Sequence, residues 1–145
     1  MKKLRLALIS GGISSERNVS LRSGDEVFKA LDKEKYRVRR YDPKSDIPRL
    51  VADAPQTDFA LIILHGSYGE DGTIQGLLEL LGIPYQGAGV LGSAVAMNKA
   101  VSKKLYECAG LSVPPYRLIR QNKAVNTADC IQELGLPLMV KPVTG

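Results

Sequence analysis

One segment constrains the fold more than any other: residues 59–64, Phe-Ala-Leu-Ile-Ile-Leu, are apolar at every position. The side chains of a strand alternate between its two faces, so an unbroken apolar run predicts a strand covered on both faces, as in the core of a parallel sheet. A second run, Leu4 to Ile9, is nearly as apolar and is followed by Gly11-Gly12. We therefore expect at least two buried parallel strands.

Helical patterns alternate with the strands. After the first strand, the residues that repeat every four positions predict the buried face of a helix: Val19, Ser23, Val27 and Leu31. Ser14 or Ser15 is expected to cap its start. Further helices are predicted at 73–81, 91–109 and 127–134, with a short one inside 44–57, and further strands at 36–41, 83–85, 116–119 and 138–141. Strand-then-helix units with short connections predict an α/β fold, an open parallel sheet with helices on both faces.

The pattern changes after Pro114-Pro115. The strand–helix–strand unit that follows is too small to bury a core of its own. We therefore expect residues 1–112 to form a complete domain and residues 113–145 to begin a second one.

Composition excludes several classes of protein. The chain has 145 residues, of which 44% are hydrophobic, so it is neither disordered nor dependent on disulfides. No apolar run approaches the ~18 residues of a membrane span, so we expect a cytoplasmic protein without membrane contact. Two cysteines and one histidine are too few for a structural zinc site, and Cys108 and Cys130 are expected to be free thiols.

The net charge of +5 does not by itself indicate a nucleic-acid partner. The densest basic stretch, residues 33–40, alternates apolar and charged residues at Tyr36, Arg37, Val38 and Arg39. This pattern favours a solvated edge strand, whose charges prevent pairing with another chain, over a nucleic-acid surface.

Ligands of open parallel sheets bind beyond the carboxyl ends of the strands. Two loops follow such ends here, residues 11–16 and 65–72. The first contains Glu16, either an acid favoured at a helix start or an anchor for a ligand ammonium group. The second contains His65, the single histidine, where the strand rule places a ligand. Neither the G-x-G-x-x-G spacing nor a G-x-x-x-x-G-K-[ST] loop is present, which argues against a dinucleotide oxidoreductase and a P-loop enzyme.

These loops resemble those of a known family. The order Gly-Gly-x-Ser-x-Glu-Arg-x-Val-Ser-Leu at 11–21 and the run His-Gly-x-x-Gly-Glu-Asp-Gly-x-x-Gln-Gly at 65–76 are similar to the D-alanine–D-alanine ligases. Further matches are Ser93-Ala94-x-Ala96-Met97-x-Lys99, Lys103 and Val140-Lys141-Pro142. The resemblance covers essentially the whole chain in order.

The resemblance implies a Rossmann-like domain that precedes an ATP-grasp domain, and the beginning of the latter. It implies an ATP-dependent ligase of peptidoglycan precursor synthesis, in which ATP phosphorylates one D-alanine and the amine of a second attacks the acyl phosphate. By matching positions, Glu16 would hold the first substrate's ammonium, Val19 would line that pocket and His65 would lie near its carboxylate. Lys99 and Lys141 match the lysines that contact ATP phosphates. The complete enzyme would be a homodimer.

The sequence departs from the family pattern in two places. Asn98 stands where an acid commonly precedes the lysine, and the family's magnesium ligands would lie beyond Gly145. We therefore expect the front part of such a ligase, inactive alone. A D-alanine–D-lactate or D-alanine–D-serine ligase, and a stand-alone module that binds a small ligand, remain as alternatives.

Overall fold

The computed structural model describes residues 2–122 and 124–144. The first strand, β1 (Leu4–Ile9), is followed by α1 (Arg17–Ala30), β2 (Tyr36–Tyr41), α2 (Ile47–Asp53), a 3-10 turn (Ala54–Gln56) and β3 (Phe59–Ile62). Four more helices follow: α3 (Thr73–Leu80), α4 (Val90–Met97), α5 (Lys99–Cys108) and α6 (Thr127–Leu134).

The three strands form a parallel sheet in the order β2-β1-β3. The two apolar runs are thus neighbours in the sheet, in register from Leu6 opposite Phe59 to Ile9 opposite Ile62. The charged strand β2 lies at the edge, as its alternating pattern predicts. The open parallel sheet confirms the predicted fold class.

Helices cover both faces of the sheet. On one face, Ile9 of β1 belongs to a buried cluster with Leu50 of α2 and Leu78 of α3. On the other side, α1 approaches the end of β1 so closely that a Cβ atom on Gly24 would lie 2.5 Å from the Ser10 hydroxyl.

Four details of the first part differ from the sequence prediction. The buried residues of α1 are Ser20 and Gly24, whereas the predicted face is exposed at Val19 and half-buried at its other three positions. Neither Ser14 nor Ser15 caps α1: the N-cap residue is Glu16, and its side chain makes no capping hydrogen bond. β3 ends at Ile62, although the apolar run continues to Leu64. The predicted strand at 83–85 is a single parallel bridge between Tyr85 and Ala60.

The predicted helix at 91–109 is two helices, divided at Asn98. The Asn98 side chain accepts a hydrogen bond from the backbone N–H of Val101 at 3.1 Å and thereby caps α5. An asparagine side chain stabilises a helix start and competes with the backbone in a helix interior, so the division has a local cause.

The described residues divide into two compact units, Met1–Val95 and Ala96–Gly145. In the second unit α6 lies where the sequence predicts it, with Asn126 as its cap. The segments 116–119 and 138–141 are not strands. They pair with no other strand among the described residues, and an extended segment without a ladder partner is not a strand. The predicted domain boundary at 112/113 stays a prediction.

Candidate functional site

A cavity of about 200 Å³ lies at the carboxyl ends of β1 and β3. It is bounded by the loop after β1, the loop after β3 and the first turns of α2 and α3; Ser14, His65 and Ile74 are among its lining residues. The strand rule therefore locates the cavity correctly. Its position is the one where parallel sheets bind ligands.

Ser14 connects the two loops. Its hydroxyl donates to the backbone carbonyl of His65 at 2.7 Å and accepts from the backbone N–H of Glu16 at 3.2 Å. One side chain thus fixes the start of α1 against the end of the β3 segment. Glu16 and His65, which are 49 positions apart in the sequence, are brought to the same site.

The Glu16 carboxylate lies against the backbone of Gly66. A Cβ atom on Gly66 would be only 2.8 Å from Glu16 Oε2, so a larger residue would collide with the carboxylate. Gly66 also has a φ of +71°, a backbone conformation that glycine adopts without strain. Within residues 2–122 and 124–144, no lysine, arginine or histidine nitrogen forms an ion pair with this carboxylate. Glu16 is not among the residues that line the cavity, but its exposed, uncompensated carboxylate beside the loop of His65 is suited to a small cation.

His65 presents an unsatisfied nitrogen. Its Nε2 is buried and has no hydrogen-bond partner among the described residues. A buried polar atom without a partner costs about 1–3 kcal/mol, so such atoms are rare in folded proteins. Gln75 Oε1, on a residue that does not line the cavity, is a second such atom in this structure. His65, by contrast, lines the cavity, so this nitrogen belongs to a residue at the place where a ligand would bind.

The glycine-rich loop is held by its own acids. Glu70 Oε2 accepts from the N–H of Gly66 at 2.7 Å, and Asp71 accepts from the N–H groups of Tyr68 and Thr73 at 2.8 and 3.0 Å. Gln75, itself buried, donates to the carbonyl of Gly69 at 2.9 Å. Glu70 and Asp71 therefore support the loop and the start of α3. The carboxylate of Glu16, by contrast, accepts no loop hydrogen bond among the described residues.

An ion pair that the sequence analysis did not predict supports the first loop. The guanidinium of Arg17 binds Asp42 with two hydrogen bonds, 2.9 and 2.6 Å long. Asp42 also accepts from the N–H of Gly12 at 2.9 Å. The hydrogen bonds from Arg17, more than those from the backbone, lower the pKa of the Asp42 carboxyl to about 2.

A second contact that was not predicted joins the strand ends beneath the loops. The fully buried hydroxyl of Ser20 accepts from the N–H of Gly11 at 2.7 Å and donates to the carbonyl of Ile63 at 2.5 Å. Local sequence does not indicate this contact, because it depends on α1 lying against the ends of both strands.

The structure places the other predicted site residues as follows. Val19 is 53% exposed on α1 and is not among the residues that line the cavity. Lys99 is the first residue of α5, and its backbone N–H donates to the carbonyl of Val143 at 3.0 Å. Lys141 is exposed, two residues before Val143. The roles of all three stay predictions.

No group of three or more histidine, cysteine, aspartate or glutamate side chains within the described ranges is arranged to hold a metal ion. Both cysteines are free, Cys108 exposed and Cys130 buried. None of the helices in the described part of the chain has the length and apolar character needed to cross a membrane.

Known proteins match this arrangement in sequence and in fold. Residues 40–88 match a family described as the D-ala D-ala ligase N-terminus. The D-alanine–D-alanine ligase of Syntrophobacter fumaroxidans is 61% identical over 141 residues, which are 97% of this chain and 45% of that protein. The D-alanine–D-alanine ligase of Geobacter sulfurreducens is 46% identical over 142 residues, 98% of this chain and 44% of that protein.

A solved structure agrees with the sequence matches. The crystal structure of D-alanine–D-alanine ligase from Bacillus anthracis complexed with ATP superposes with a TM-score of 0.83 at 42% identity, covering 98% of this chain and 48% of that one. The chain thus spans a little under half the length of the relatives it matches. In sequence and in fold, it is similar to the amino-terminal portion of these D-alanine–D-alanine ligases.

Proposed function

We propose that this chain supplies the first-substrate half of a D-alanine–D-alanine ligase site. The single observation that carries the proposal is the pair formed at the sheet edge: the uncompensated carboxylate of Glu16 beside the loop of His65, whose Nε2 is buried without a partner. D-Alanine carries an ammonium and a carboxylate a few bonds apart. A carboxylate and an imidazole on adjoining loops are the two groups that such a zwitterion needs.

In this proposal the ammonium of the first D-alanine binds Glu16 and its carboxylate lies near His65. A charge-assisted hydrogen bond between ammonium and carboxylate is about twice as strong as a neutral one, so Glu16 contributes most of the affinity. Val19 would line the same pocket. Because its side chain is half exposed here, the bound substrate or a further part of the enzyme would have to cover it.

We further propose that Lys99 and Lys141 contact the phosphates of ATP. The hydrogen bond from Lys99 to Val143 supports this, because it holds the segment that carries Lys141 beside the first turn of α5. Two ammonium groups on neighbouring segments are suited to a polyphosphate. ATP supplies the phosphoryl group that activates the carboxylate of the first D-alanine, and phosphoryl transfer depends mainly on positioning and electrostatics.

Magnesium, which this chemistry requires, would be held by residues other than those described, since no metal-binding cluster is found among them. The complete enzyme would act in the cytoplasm, as a homodimer, in peptidoglycan precursor synthesis. Its second substrate, D-alanine in this proposal, would be bound mostly by parts outside this chain.

A hybrid enzyme tests the proposal. Residues 1–145 of this chain are joined to the remaining part of the Syntrophobacter fumaroxidans ligase, whose corresponding region is 61% identical. We expect the hybrid to release phosphate from ATP and form the dipeptide with D-alanine and not with L-alanine. The unmodified relative is the positive control.

A hybrid that folds like the relative but gives no D-alanine-dependent product would contradict the ligase proposal. A hybrid that binds D-alanine without turnover would point to a stand-alone binding module. A preference of the hybrid for D-lactate or D-serine as second substrate would be attributed to the part taken from the relative, because that part would bind most of the second substrate.

A further inference from the structure

The strongest unassigned feature near the site is the ion pair between Arg17 and Asp42. The two side chains meet in a two-pronged contact, at 2.9 Å between Arg17 Nη1 and Asp42 Oδ1 and at 2.6 Å between Nη2 and Oδ2. Both are largely shielded from solvent, with 29% and 22% of the side-chain surface exposed. Two parallel hydrogen bonds fix the guanidinium plane as well as its position.

Asp42 also holds the turn after β1 by hydrogen bonds and close packing. Its Oδ1 accepts from the N–H groups of Gly12 and Lys44, at 2.9 and 3.0 Å. The carboxylate packs so tightly on Gly11 that a Cβ atom there would lie 2.6 Å from Oδ1. Asp42, at the end of β2, thereby fixes the turn that follows the neighbouring strand.

Arg17 binds the same loop, which follows β1, from its carboxyl-terminal end. Its Nη1 donates to the carbonyl of Gly12 at 2.7 Å in addition to Asp42. Residues 12 and 17 are therefore tied to each other and to the same carboxylate. Everything between them, including Glu16, lies on a short segment that is fixed at both ends.

We propose that Arg17 and Asp42 are positioning residues that hold the Glu16 carboxylate in place for the ammonium of the first substrate; this rests on the function proposed above. They act through Glu16 and do not contact the substrate. The guanidinium donates three hydrogen bonds to Asp42 and Gly12 and forms no ion pair with Glu16 among the described residues, so the cation next to Glu16 in the sequence does not neutralise it. The pair thus fixes the position of Glu16 and leaves its carboxylate available to the substrate ammonium.

The same sheet contains a matched control at its opposite end. Arg5, near the start of β1, binds Asp58, just before β3, through Nη2 at 2.5 Å and Nε at 3.0 Å. Its exposed fractions, 34% and 31%, are close to those of the first pair. Loss of either pair removes a comparable contact, but only one of them supports the Glu16 loop.

The test uses the 145-residue chain, labelled with ¹⁵N, and D-alanine as the probe in an NMR titration that follows the amide signals of Glu16 and Gly66. The variants are Asp42→Asn, Asp58→Asn, Glu16→Gln and the double variant Asp42→Asn with Glu16→Gln. We expect Asp42→Asn to weaken D-alanine binding by about three- to tenfold, within the range of measured couplings between contacting residues. Asp58→Asn should leave binding unchanged, and the double variant should bind no more weakly than Glu16→Gln alone.

The non-additivity separates positioning from a general structural role. Equal weakening in Asp42→Asn and Asp58→Asn, or a full additional loss in the double variant, would overturn the inference. If Asp42→Asn does not fold, Arg17→Lys takes its place, since it keeps the charge and loses the two-pronged contact. Unchanged binding in Glu16→Gln, or no D-alanine response in the wild-type chain, would instead contradict the proposed first-substrate site itself.

Discussion

Gly66 shows how one residue governs the position of the Glu16 carboxylate. With a φ of +71° and a Cβ position 2.8 Å from Glu16 Oε2, an alanine here meets both backbone strain and a steric conflict. The carboxylate is the end of a flexible side chain, so it can move aside. The steric conflict should therefore displace Glu16 and leave the fold intact.

We expect Gly66→Ala to weaken D-alanine binding markedly and to lower the free energy of unfolding by about 1 kcal/mol. Gly82→Ala is the matched control, because Gly82 has a φ of +65° and nothing lies within 4 Å of its Cβ position. It should show a similar loss of stability and normal binding. Urea unfolding and the NMR titration measure the two effects, and equal binding in both variants would contradict this role of Gly66.

The carboxyl group of Asp42 gives a second prediction at this scale, on acid stability. Its pKa is about 2 in the folded protein, against an ordinary value of 3.8, chiefly because Arg17 binds the ionised form. Folding therefore favours the deprotonated group, so the stabilisation is present in full above pH ~4 and is lost as the pH falls through ~2.

The free energy of unfolding should decrease between pH 5 and pH 2, with a contribution from Asp42 on the order of 1–2 kcal/mol. Urea unfolding of the wild type and of Asp42→Asn over this range checks it. The variant should show the shallower decrease, and parallel curves would contradict the assignment. Arg5 lowers the pKa of Asp58 in the same way, so part of the decrease remains in the variant.

At the scale of elements, α1 is joined to two strands by the hydroxyl of Ser20. This fully buried group bridges the N–H of Gly11 and the carbonyl of Ile63, so it links the ends of β1 and β3 through the helix. Ser20→Ala leaves a buried N–H without a partner, which should lower the free energy of unfolding by about 1–3 kcal/mol.

Ser23→Ala, in the same helix at a partly exposed position, is the control and should change the free energy of unfolding by less than about 0.5 kcal/mol. Urea unfolding of both variants measures the two changes in the free energy of unfolding. Equal effects of the two substitutions would mean that the Ser20 bridge contributes nothing specific.

The elements that the sequence predicts well are those with a strong local pattern. β3 follows from an unbroken apolar run, β1 from one interrupted only by Arg5, and β2 from alternation at a sheet edge. What local patterns miss is decided by contacts between distant residues. Segment 116–119 has strand-like composition, but a strand needs a partner, and none lies beside it among the described residues.

The same distinction holds at the site. Glu16 and His65 lie beyond strand ends, where the strand rule and the motifs both place candidate site residues, and their roles stay predictions. The pairing of Arg17 with Asp42 spans 25 positions, and nothing in either local sequence indicates it. The pairing depends on β2 lying beside β1, which brings the end of β2 next to the start of α1.

At the scale of the whole molecule, the two compact units carry different parts of the proposed function. Unit Met1–Val95 contains the cavity, Glu16 and His65, and unit Ala96–Gly145 contains Lys99 and Lys141. A substitution of Glu16 or His65 should therefore change affinity for D-alanine and leave affinity for ATP unchanged. This separation makes the central claim measurable in one enzyme.

The most direct test is Glu16→Gln in the hybrid ligase, with KM measured for the first D-alanine and for ATP. Glutamine keeps the shape and removes the charge, and loss of one partner of a desolvated charge pair costs about 2–5 kcal/mol. Since about 1.4 kcal/mol is a factor of ten, the apparent affinity for the first D-alanine should fall about tenfold or more, with ATP affinity and melting temperature unchanged. Glu26→Gln, an exposed acid on the same helix, should change neither KM. Normal first-site saturation in Glu16→Gln, together with a melting temperature several degrees lower, would show that Glu16 serves only the start of α1 and would contradict the proposed site.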